Sequence, residues 1–386
     1  MYPFPTESTT QYNALLASKN LWPVDPMVEQ NWSGRGQHAV FRWNERGTVD
    51  LKLQVQETLG SSSSAIVQSV RCKRILLARK TIQCMPGRSM TRKRAIEEVA
   101  HLNRLEHAHI VRVIGTYVIG KELSMLLYPV AQHNLDDFLN KVAQESLELG
   151  PCDYIASSKT QENLMGFFNC LAGTVKYIHG HLIKHMDIKP QNILVRELYT
   201  PGGFPDSLSF EEFRFKVYLA DFGISRSYNT YEATETEGPT MFTRKYAAPE
   251  VVDQDIRGLS ADIFSLGCVF AEMIATLMGS SDSVESFRAA LHRLLQENKN
   301  GDGSYQANID RVHLFMDALS TKPFHPFPLL HSFKPYMDVV KQMLEKDPLK
   351  RPSAADLVAT WGSRSCCRHG PDKLEAAREE SASNTA

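Results

Sequence analysis

Five short fragments carry the side chains that could do chemistry, and they follow one another in a fixed order. They combine a glycine-containing loop, a lysine, and carboxylate and amide groups: Leu59-Gly60-x-Ser62-x-x-Ala65-x-Val67, Ala78-Arg79-Lys80, His185-Met186-Asp187-Ile188-Lys189-Pro190-Gln191-Asn192, Asp221-Phe222-Gly223 and Ala248-Pro249-Glu250. Carboxylate and amide oxygens are hard donors of the kind that Mg²⁺ prefers. A lysine ammonium can hold an anionic group as a point charge. The fragments therefore supply residue types suited to holding phosphate and a metal ion.

Motifs of three residues are weak signals one at a time, but the order and spacing of all five resemble the eukaryotic protein kinase family. The resemblance covers roughly residues 49–361. It implies an α+β, bilobal fold with a small β-rich N-lobe, a larger and mostly helical C-lobe, and the active site between them. It also implies an ATP-dependent protein kinase that transfers the γ-phosphoryl group of MgATP to Ser/Thr hydroxyls of protein substrates.

The resemblance implies a catalytic ion pair between Lys80 and Glu98. Lys80 ends an apolar strand, and Glu98 lies 18 residues further on, in a segment with helical spacing. The alternative for Lys80 is a surface lysine whose stem lies along a strand edge. Glu97 is the rival partner, one step of about 100° around the helix.

The fragment around Asp187 resembles the catalytic loop of Ser/Thr-type kinases. In that family the aspartate is the general base for the acceptor hydroxyl, so this role is implied for Asp187. Lys189 would neutralise charge on the moving phosphoryl group. The resemblance implies that Asn192 and Asp221 hold Mg²⁺, and that Thr243 lines the acceptor site.

The nucleotide-binding residues are also implied by the resemblance. They comprise the glycine-rich loop, the strand behind it and a hinge: Gly60, Ser62, Ala65, Val67, Ala78, Lys80, Leu127, Tyr128 and Val130, with Asn192 and Asp221. Ser62 and Ala65 stand where glycines are usual. Glycine lets backbone amides approach phosphate closely, so a weaker grip on the nucleotide is expected, not its loss.

Met186 replaces the arginine that usually precedes the catalytic aspartate. In the family, that arginine often binds a phosphorylated residue of the activation loop. Residue 186 cannot form such a pair here, so activity is predicted not to depend on a phosphate held at this position. The alternative is that another basic residue, for example Arg244, binds a phosphate instead.

Two further sites resemble structural features of the family. Asp262 opens an apolar helix and is implied to cap the backbone of the catalytic loop. Arg351, in Asp347-Pro348-x-x-Arg351-Pro352, is implied to pair with Glu250.

The elements around these motifs follow from hydrophobic spacing. Val49, Leu51, Leu53 and Val55 alternate with polar residues, which predicts a strand. Further strands are predicted in the apolar runs 65–67, 75–78, 110–119 and 123–130, and helices at 91–105, 162–179, 261–278, 308–319 and 335–345. Strands thus precede helices along the chain.

The domain prediction has three parts. Residues 1–48 form a partly disordered N-terminal extension, 49–361 form the kinase domain, and 362–386 form a C-terminal tail. The domain divides into a small lobe at 49–127, a hinge at 128–130 and a large lobe at 131–361, with an insertion near 196–215.

Composition narrows the class of protein. The chain has 386 residues, a net charge of −1, 42% hydrophobic residues and 23% charged residues. These values exclude collagen, coiled coil and wholesale disorder. They give no sign of a nucleic-acid partner, which a strong basic excess would indicate.

Targeting signals and cysteines bear on the compartment. The first residues lack a secretory signal pattern, and Phe264–Met278 predicts a buried helix, so no membrane span is expected. Seven cysteines without C-x-x-C spacing indicate reduced thiols, hence a cytoplasmic or nuclear location. The Cys366–Cys367 pair is open to two interpretations: palmitoylation, or two exposed thiols in a loose tail.

Three function classes remain at this point. The first is an active Ser/Thr protein kinase. The second is a pseudokinase acting as a nucleotide-binding protein-interaction scaffold, favoured by the altered glycine loop and Met186. The third is a small-molecule phosphotransferase, which usually lacks the Ala248-Pro249-Glu250 segment. The sequence leaves the substrate, the regulators and the oligomeric state open.

Overall fold

The structure is a computed structural model that describes residues 26–61, 65–73, 75–84, 92–148, 154–198, 214–223, 225–228, 230–236, 242–279, 285–322, 333–361 and 365–366. These residues fall into two compact units. Unit 1 contains the described residues up to 103, together with 111–130, 197–198 and 214. Unit 2 contains residues 104–110 and 131–196 and the described residues from 215 onward.

The described part of unit 1 is built on one six-stranded mixed sheet. Its strands are β1 (His38–Phe41), β2 (Gln54–Ser61), β3 (Ala65–Cys72), β4 (Ile75–Gln83), β5 (Arg112–Ile119) and β6 (Glu122–Tyr128). Their order is β1-β5-β6-β4-β3-β2. The pair β1–β5 is parallel, and the other neighbours are antiparallel. Valine or isoleucine recurs in β3, β4 and β5, which favours strands over helices.

The two faces of this sheet have different neighbours. Residues in direct register share a face, so Val70 and Leu77 lie together on one face. They belong to a buried apolar cluster that also includes Trp32 and Phe41. Val67 and Lys80 are in register on the opposite face. The sheet therefore separates its apolar core from the face that carries the predicted ATP lysine.

Residues 26–48, predicted to precede the domain, are folded into unit 1. They contain a 3-10 helix at Pro26–Glu29 and strand β1, which extends the sheet beyond β5. The rings of Trp32 and Tyr117 lie 5.3 Å apart, centroid to centroid. Aromatic side chains that precede the predicted domain therefore complete the core of the sheet.

The predicted strand from Val49 is wrong at its start. A helix, α1, spans Arg46–Lys52, and the strand begins only at Gln54. Val49 and Leu53 are buried, whereas Leu51 is 79% exposed. The alternating apolar residues also contain the four-residue spacing of one helix face, and burial against the core selects that spacing.

Helix α2 spans Arg92–Arg104 and confirms the helix predicted at 91–105. Its buried side chains are Ala95, Glu98, Val99 and Leu102. Three apolar residues at helical spacing thus form the packed face, with one carboxylate among them.

Unit 2 is mostly helical. Its helices are α3 (Leu135–Glu148), α4 (Tyr154–Gly180), α5 (Pro249–Val252), α6 (Ser260–Leu277), α7 (Phe287–Gln296), α8 (Ile309–Ser320), α9 (Lys334–Met343) and α10 (Ala354–Trp361). Short strands β7 (His133–Asn134), β9 (Ile193–Glu197) and β10 (Phe215–Leu219) form one small sheet, and β8 (Ile183–Lys184) pairs with β11 (Arg226–Ser227). A β-rich unit and a helical unit together confirm the predicted α+β class.

Helix α6 forms the centre of unit 2. By length and composition alone Ser260–Leu277 could cross a membrane, but 94% of this window is buried inside the protein. This burial confirms the buried helix predicted at Phe264–Met278. Helices α3, α7 and α10 had no counterpart in the predicted elements.

Some predictions fall on residues outside the described ranges. They concern Ser62, most of the insertion near 196–215, and most of the tail. Cys366 is described and is fully buried, so the interpretation of two exposed thiols is wrong for this residue.

Candidate active site

Lys80 and Glu98 meet in unit 1, as the resemblance implied. Lys80 lies in β4 between Val67 of β3 and Met125 of β6. Its Nζ lies 2.9 Å from Oε1 and 3.2 Å from Oε2 of Glu98. Glu98 is buried on α2, whereas Glu97 is exposed. The helix register therefore selects Glu98 as the partner, and a surface position for Lys80 is excluded.

The predicted nucleotide residues of unit 1 share one face of the sheet. Val67 and Lys80 are in register, and so are Ala78 and Leu127. Side chains two residues apart along a strand point the same way, which places Ala78 beside Lys80 and Ala65 beside Val67. Five predicted side chains from three strands thus form one surface: Ala65, Val67, Ala78, Lys80 and Leu127.

Gly60 and the predicted hinge lie at the ends of this surface. Gly60 in β2 pairs with Val67, and a Cβ added to Gly60 would meet no atom within 4 Å. Close packing therefore does not require glycine here. Tyr128 ends β6, and Val130 follows it after Pro129, whose peptide bond with Tyr128 is cis.

In unit 2 both carboxylate oxygens of Asp187 accept hydrogen bonds. Oδ1 accepts from Thr243 Oγ1 at 2.7 Å. Oδ2 accepts from Lys189 Nζ at 2.7 Å and from Asn192 Nδ2 at 2.9 Å. Lys189 Nζ also donates to Thr243 Oγ1 at 2.7 Å. The predicted base, the predicted phosphoryl-neutralising lysine and the predicted acceptor-site threonine therefore form one connected group.

Asn192 and Asp221 are the predicted metal ligands. Asn192 Nδ2 also donates to the backbone carbonyl of Asp187 at 2.8 Å. Both Nδ2 bonds go to the same residue, so Oδ1 is the atom of Asn192 with lone pairs for a metal. Asp221 is exposed and has φ of 62°. The residue before it, Ala220, donates its N–H to the carbonyl of Asn192 at 2.9 Å, which ties the two ligand segments together.

Asp262 lies beneath the catalytic loop, as the resemblance implied. Its two oxygens accept from the backbone N–H groups of His185 and Met186, both at 2.8 Å. Met186 has φ of 70°, an uncommon conformation that these bonds support. Burial alone would raise the pKa of Asp262, but the bond with His179 and the nearby loop groups lower it below its ordinary value. This carboxylate therefore fixes the backbone that presents Asp187.

Comparisons with known proteins identify the family of the chain. The protein kinase domain family matches residues 53–361. The chain belongs to the protein kinase family. Together with its relatives, this match identifies a serine/threonine protein kinase.

The relatives of this kinase include mitogen-activated and cyclin-dependent kinases. Mitogen-activated protein kinase 2 of Arabidopsis thaliana is 24% identical over 345 residues, which cover 87% of this chain and 83% of the relative. Mitogen-activated protein kinase 4 of Oryza sativa subsp. japonica is 24% identical over 346 residues, which cover 87% of this chain and 84% of the relative. Cyclin-dependent kinase 4 of Ovis aries is 34% identical over 185 residues, 46% of this chain and about half, 51%, of the relative.

Sequence reasoning missed one buried cation next to the catalytic loop of the kinase. Lys184 is fully buried and donates through Nζ to the carbonyl of Thr234, to Thr236 Oγ1 and to the carbonyl of Arg257 at 2.5, 2.9 and 3.0 Å. Burial lowers the pKa of Lys184 to about 8. The ring of Tyr228 lies 4.9 Å from Nζ. A cation two residues before Met186 thus holds the activation segment through uncharged groups.

The same segment is paired through its backbone. Thr236 and Arg257 exchange N–H to carbonyl bonds of 3.1 and 3.0 Å. The predicted alternative cation, Arg244, instead pairs with Asp302 at 2.8 Å and is exposed. Within the described residues of the activation segment, Lys184 and Arg257 therefore hold Thr234 and Thr236 in position.

Arg351 and Glu250 form the predicted ion pair. Two guanidinium nitrogens lie 2.7 and 2.8 Å from the two carboxylate oxygens. Arg351 also donates to the carbonyls of Ser260, Glu345 and Lys346. The pair joins α5 to the turn before α10 within unit 2.

Glu272 is a second buried acid that sequence reasoning left without a role. It is fully buried on α6, and its oxygens accept from Tyr246 Oη, Tyr305 Oη and Arg288 at 2.9, 3.2 and 2.8 Å. Burial opposes its charge, yet His292 and Lys245 help to lower the pKa of Glu272. A lone glutamate inside an apolar helix was the available signal, since a buried acid needs partners.

Proposed function

We propose that this kinase transfers the γ-phosphoryl group of MgATP to Ser/Thr hydroxyls of protein substrates, with Asp187 as the general base. The observation that carries this proposal is the connected group of Asp187, Lys189 and Thr243. The two carboxylate oxygens of Asp187 are held by donors from three different residues, which fixes the orientation that a base of low intrinsic strength needs.

The donor set fits Mg²⁺. Asn192 offers an amide oxygen and Asp221 an exposed carboxylate, and hard oxygen ligands are those that Mg²⁺ prefers. When bound, the ion would share the negative charge of the phosphate oxygens. Asn192 and Asp221 would hold the ion. Lys80 would bind the phosphates, and Glu98 would keep the ammonium group of Lys80 in place.

The proton path follows from the hydrogen bonds. The acceptor hydroxyl would bind beside Thr243 and donate to the same carboxylate oxygen of Asp187, Oδ1, that accepts from Thr243 Oγ1. As its oxygen bonds to the γ-phosphorus, the bond between that phosphorus and the bridging oxygen of ADP breaks. The hydroxyl proton passes to Asp187, and Lys189 neutralises charge on the transferred group.

The adenine and ribose would bind the sheet face of Ala65, Val67, Ala78 and Leu127, with hydrogen bonds to the backbone of Tyr128 and Val130. In β4 and β6 this surface is formed by small and apolar side chains in register. In the same proposal, Gly60 and Ser62 are part of the loop that covers the phosphates. A cytoplasmic or nuclear location remains part of the proposal.

A transfer assay tests the proposed function. Labelled ATP, Mg²⁺ and generic Ser/Thr substrates are incubated with the parent chain, Asp187→Asn, Lys80→Met and Glu98→Gln. Each variant should lose at least about 100-fold in kcat, whereas Glu97→Gln, one position away and exposed, should match the parent. No transfer by the parent above the Asp187→Asn control, with nucleotide still bound, would favour the scaffold function instead.

A further inference from the structure

Three side chains from distant parts of unit 2, none of them assigned to phosphoryl transfer, converge in the fold. His109 lies in the turn before β5, Cys170 lies on α4, and Cys366 lies beyond the end of α10. One ring nitrogen of His109 and the two Sγ atoms lie within 4.8 Å of one another. Among the described residues, this is the one cluster of three His, Cys, Asp or Glu side chains with such spacing.

All three side chains are fully buried. His109, Cys170 and Cys366 each have 0% exposure. Thiolate sulfur and imidazole nitrogen form the ligand set typical of structural zinc sites, with bonds of about 2.3 Å and 2.0–2.1 Å. Tetrahedral bonds of those lengths place ligand atoms roughly 3.5–4 Å apart. The observed separations therefore need only a small contraction to reach a zinc shell.

The surroundings supply the outer contacts that such ligands require. The backbone N–H of Cys366 donates to Cys170 Sγ at 3.2 Å, which favours a thiolate. His109 Nδ1 lies 2.8 Å from the carbonyl of Val217 and 4.0 Å from Cys366 Sγ. Binding through Nε2 keeps the carbonyl bond as an outer-shell contact, and binding through Nδ1 exchanges it for the metal.

The charge balance also fits a divalent ion. Two buried thiolates without a cation would be costly, whereas two thiolates and one Zn²⁺ sum to zero. A neutral imidazole completes the set without adding charge. Hard ions such as Mg²⁺ are excluded because they prefer oxygen donors.

The backbone near Cys366 is packed too closely on α4 for a chance contact of a loose tail. A Cβ at Gly166 would lie 2.7 Å from the carbonyl carbon of Ser365 and 2.8 Å from the nitrogen of Cys366. Gly166 and Cys170 are four residues apart and therefore lie on one face of the helix. Trp361, the last residue of α10, stacks on Phe168 of α4, with the two ring centroids 4.7 Å apart. Glycine thus makes room for the segment that carries the third ligand.

We propose that His109, Cys170 and Cys366 bind one zinc ion, which fastens the segment after α10 to α4 and to the turn before β5. The described residues supply three of the four donors of a tetrahedral shell. The site is structural and does not depend on the proposed transferase function. It also gives a role to a cysteine for which the sequence offered only palmitoylation or exposure.

Metal analysis of the full chain tests this site. The protein is produced in zinc-supplemented medium, purified without chelators or a histidine tag, and measured by plasma mass spectrometry. We expect about one zinc per chain in the parent, and little or none in Cys170→Ser and Cys366→Ser. Cys72→Ser, a buried thiol in β3 of unit 1, is the matched control and should keep its zinc.

Two measurements on the parent chain alone remain decisive if the variants fail to fold. Replacement of zinc by Co²⁺ should give the intense near-ultraviolet band of thiolate-to-cobalt charge transfer, and a strong chelator should lower the melting temperature by several degrees. A parent chain that holds no zinc after dialysis against the ion would overturn the proposal. A disulfide between Cys170 and Cys366 in the purified protein, seen by mass spectrometry without reduction, would also overturn it.

Discussion

At the scale of single residues, the hydroxyl of Thr243 is the link between the proposed base and its neighbouring lysine. It donates to Asp187 and accepts from Lys189, both at 2.7 Å. Its position just before the Arg244–Tyr246 turn brings the activation segment to the catalytic loop. The sequence indicated a family role for this threonine, but the two bonds required the folded chain.

Removal of this hydroxyl should slow catalysis more than binding. We expect Thr243→Val to lower kcat by roughly 10–100-fold, because small displacements of catalytic groups cost about that much, with little change in the KM for ATP. Thr243→Ser keeps the hydroxyl and should stay within a few-fold of the parent. Steady-state kinetics of both variants would decide, and a kcat of Thr243→Val equal to that of the parent would refute the positioning role.

His107 should make stability depend on pH. Burial, followed by the nearby His109, lowers the pKa of His107 from 6.5 to about 3. The unfolded chain therefore binds a proton below pH 6.5 that the folded chain refuses, so stability is lost as pH falls from 6.5 towards 3. Over the whole interval from pH 6.5 to pH 3, the loss of stability from this residue should be on the order of 5 kcal/mol.

The test compares the parent with His107→Asn, which keeps an acceptor for the backbone N–H of His109. Denaturant unfolding at several pH values from 7 to 4 gives the slopes of the free energy of unfolding. Other groups titrate in both proteins, so only the difference in slope reports on residue 107. Identical slopes would show that His107 is protonated as easily when folded.

At the scale of elements, the buried pair of Arg351 and Glu250 joins α5 to the turn before α10. We expect Arg351→Ala to lower the free energy of unfolding by about 3–5 kcal/mol, since the change leaves a buried carboxylate without its partner. Lys350→Ala, on the exposed neighbour, should have little effect. Unfolding curves of the two variants provide the comparison, and an Arg351→Ala curve that overlays that of the parent would contradict the expectation.

The activation segment gives the second element-scale prediction. Lys184 donates to the carbonyls of Thr234 and Arg257 and to the hydroxyl of Thr236, and residue 186 is a methionine where the family usually has an arginine. We expect phosphatase treatment to change kcat by less than about twofold, because phosphate-dependent ordering requires a cation to receive the phosphate. Loss of activity on phosphatase treatment would overturn this.

The matching variant is Lys184→Met. This substitution leaves buried carbonyl groups without a donor, which lowers the free energy of unfolding by about 1–3 kcal/mol. It should lower kcat even in protein that has not been treated with phosphatase. Lys176→Met, a lysine exposed on α4, is the control and should behave like the parent.

At the scale of the whole molecule, the N-terminal segment is part of unit 1. Trp32 and Phe41 are 2% and 3% exposed and pack with Tyr117 of β5. We expect a chain that begins at residue 49 to be far less stable than one that begins at residue 26. The loss should reach several kcal/mol, because removal of one buried aromatic ring costs about 3–5 kcal/mol.

Thermal melting and solubility of the two chains measure this difference. Phe41→Ala in the full chain should reproduce part of the loss, and Val40→Ala, on the 76% exposed neighbour, should not. Equal melting temperatures for the two shortened chains would show that residues 26–48 contact the sheet without stabilising it.

The resemblance to the kinase family, carried by short motifs, let the sequence predict most of the candidate site. The Asp187 fragment contains three of the connected residues within six positions, whereas the choice of Glu98 over its rival Glu97 was decided by burial in the folded helix. Long helices such as α4 and α6 were predicted because their apolar stripes repeat over many turns. Short elements such as α1 gave two conflicting periods, and only packing against Trp32 and Phe41 chose between them.

The sequence by itself determined the family, the α+β order and the residue types of the site, since each depends on neighbours within a few turns. Only the tertiary structure decided the roles of Lys184, Glu272 and Cys366. Their partners lie 16 to 196 residues away along the chain. Their burial and their partners are decided by which distant segments the core brings within hydrogen-bond distance, and no local spacing encodes that choice.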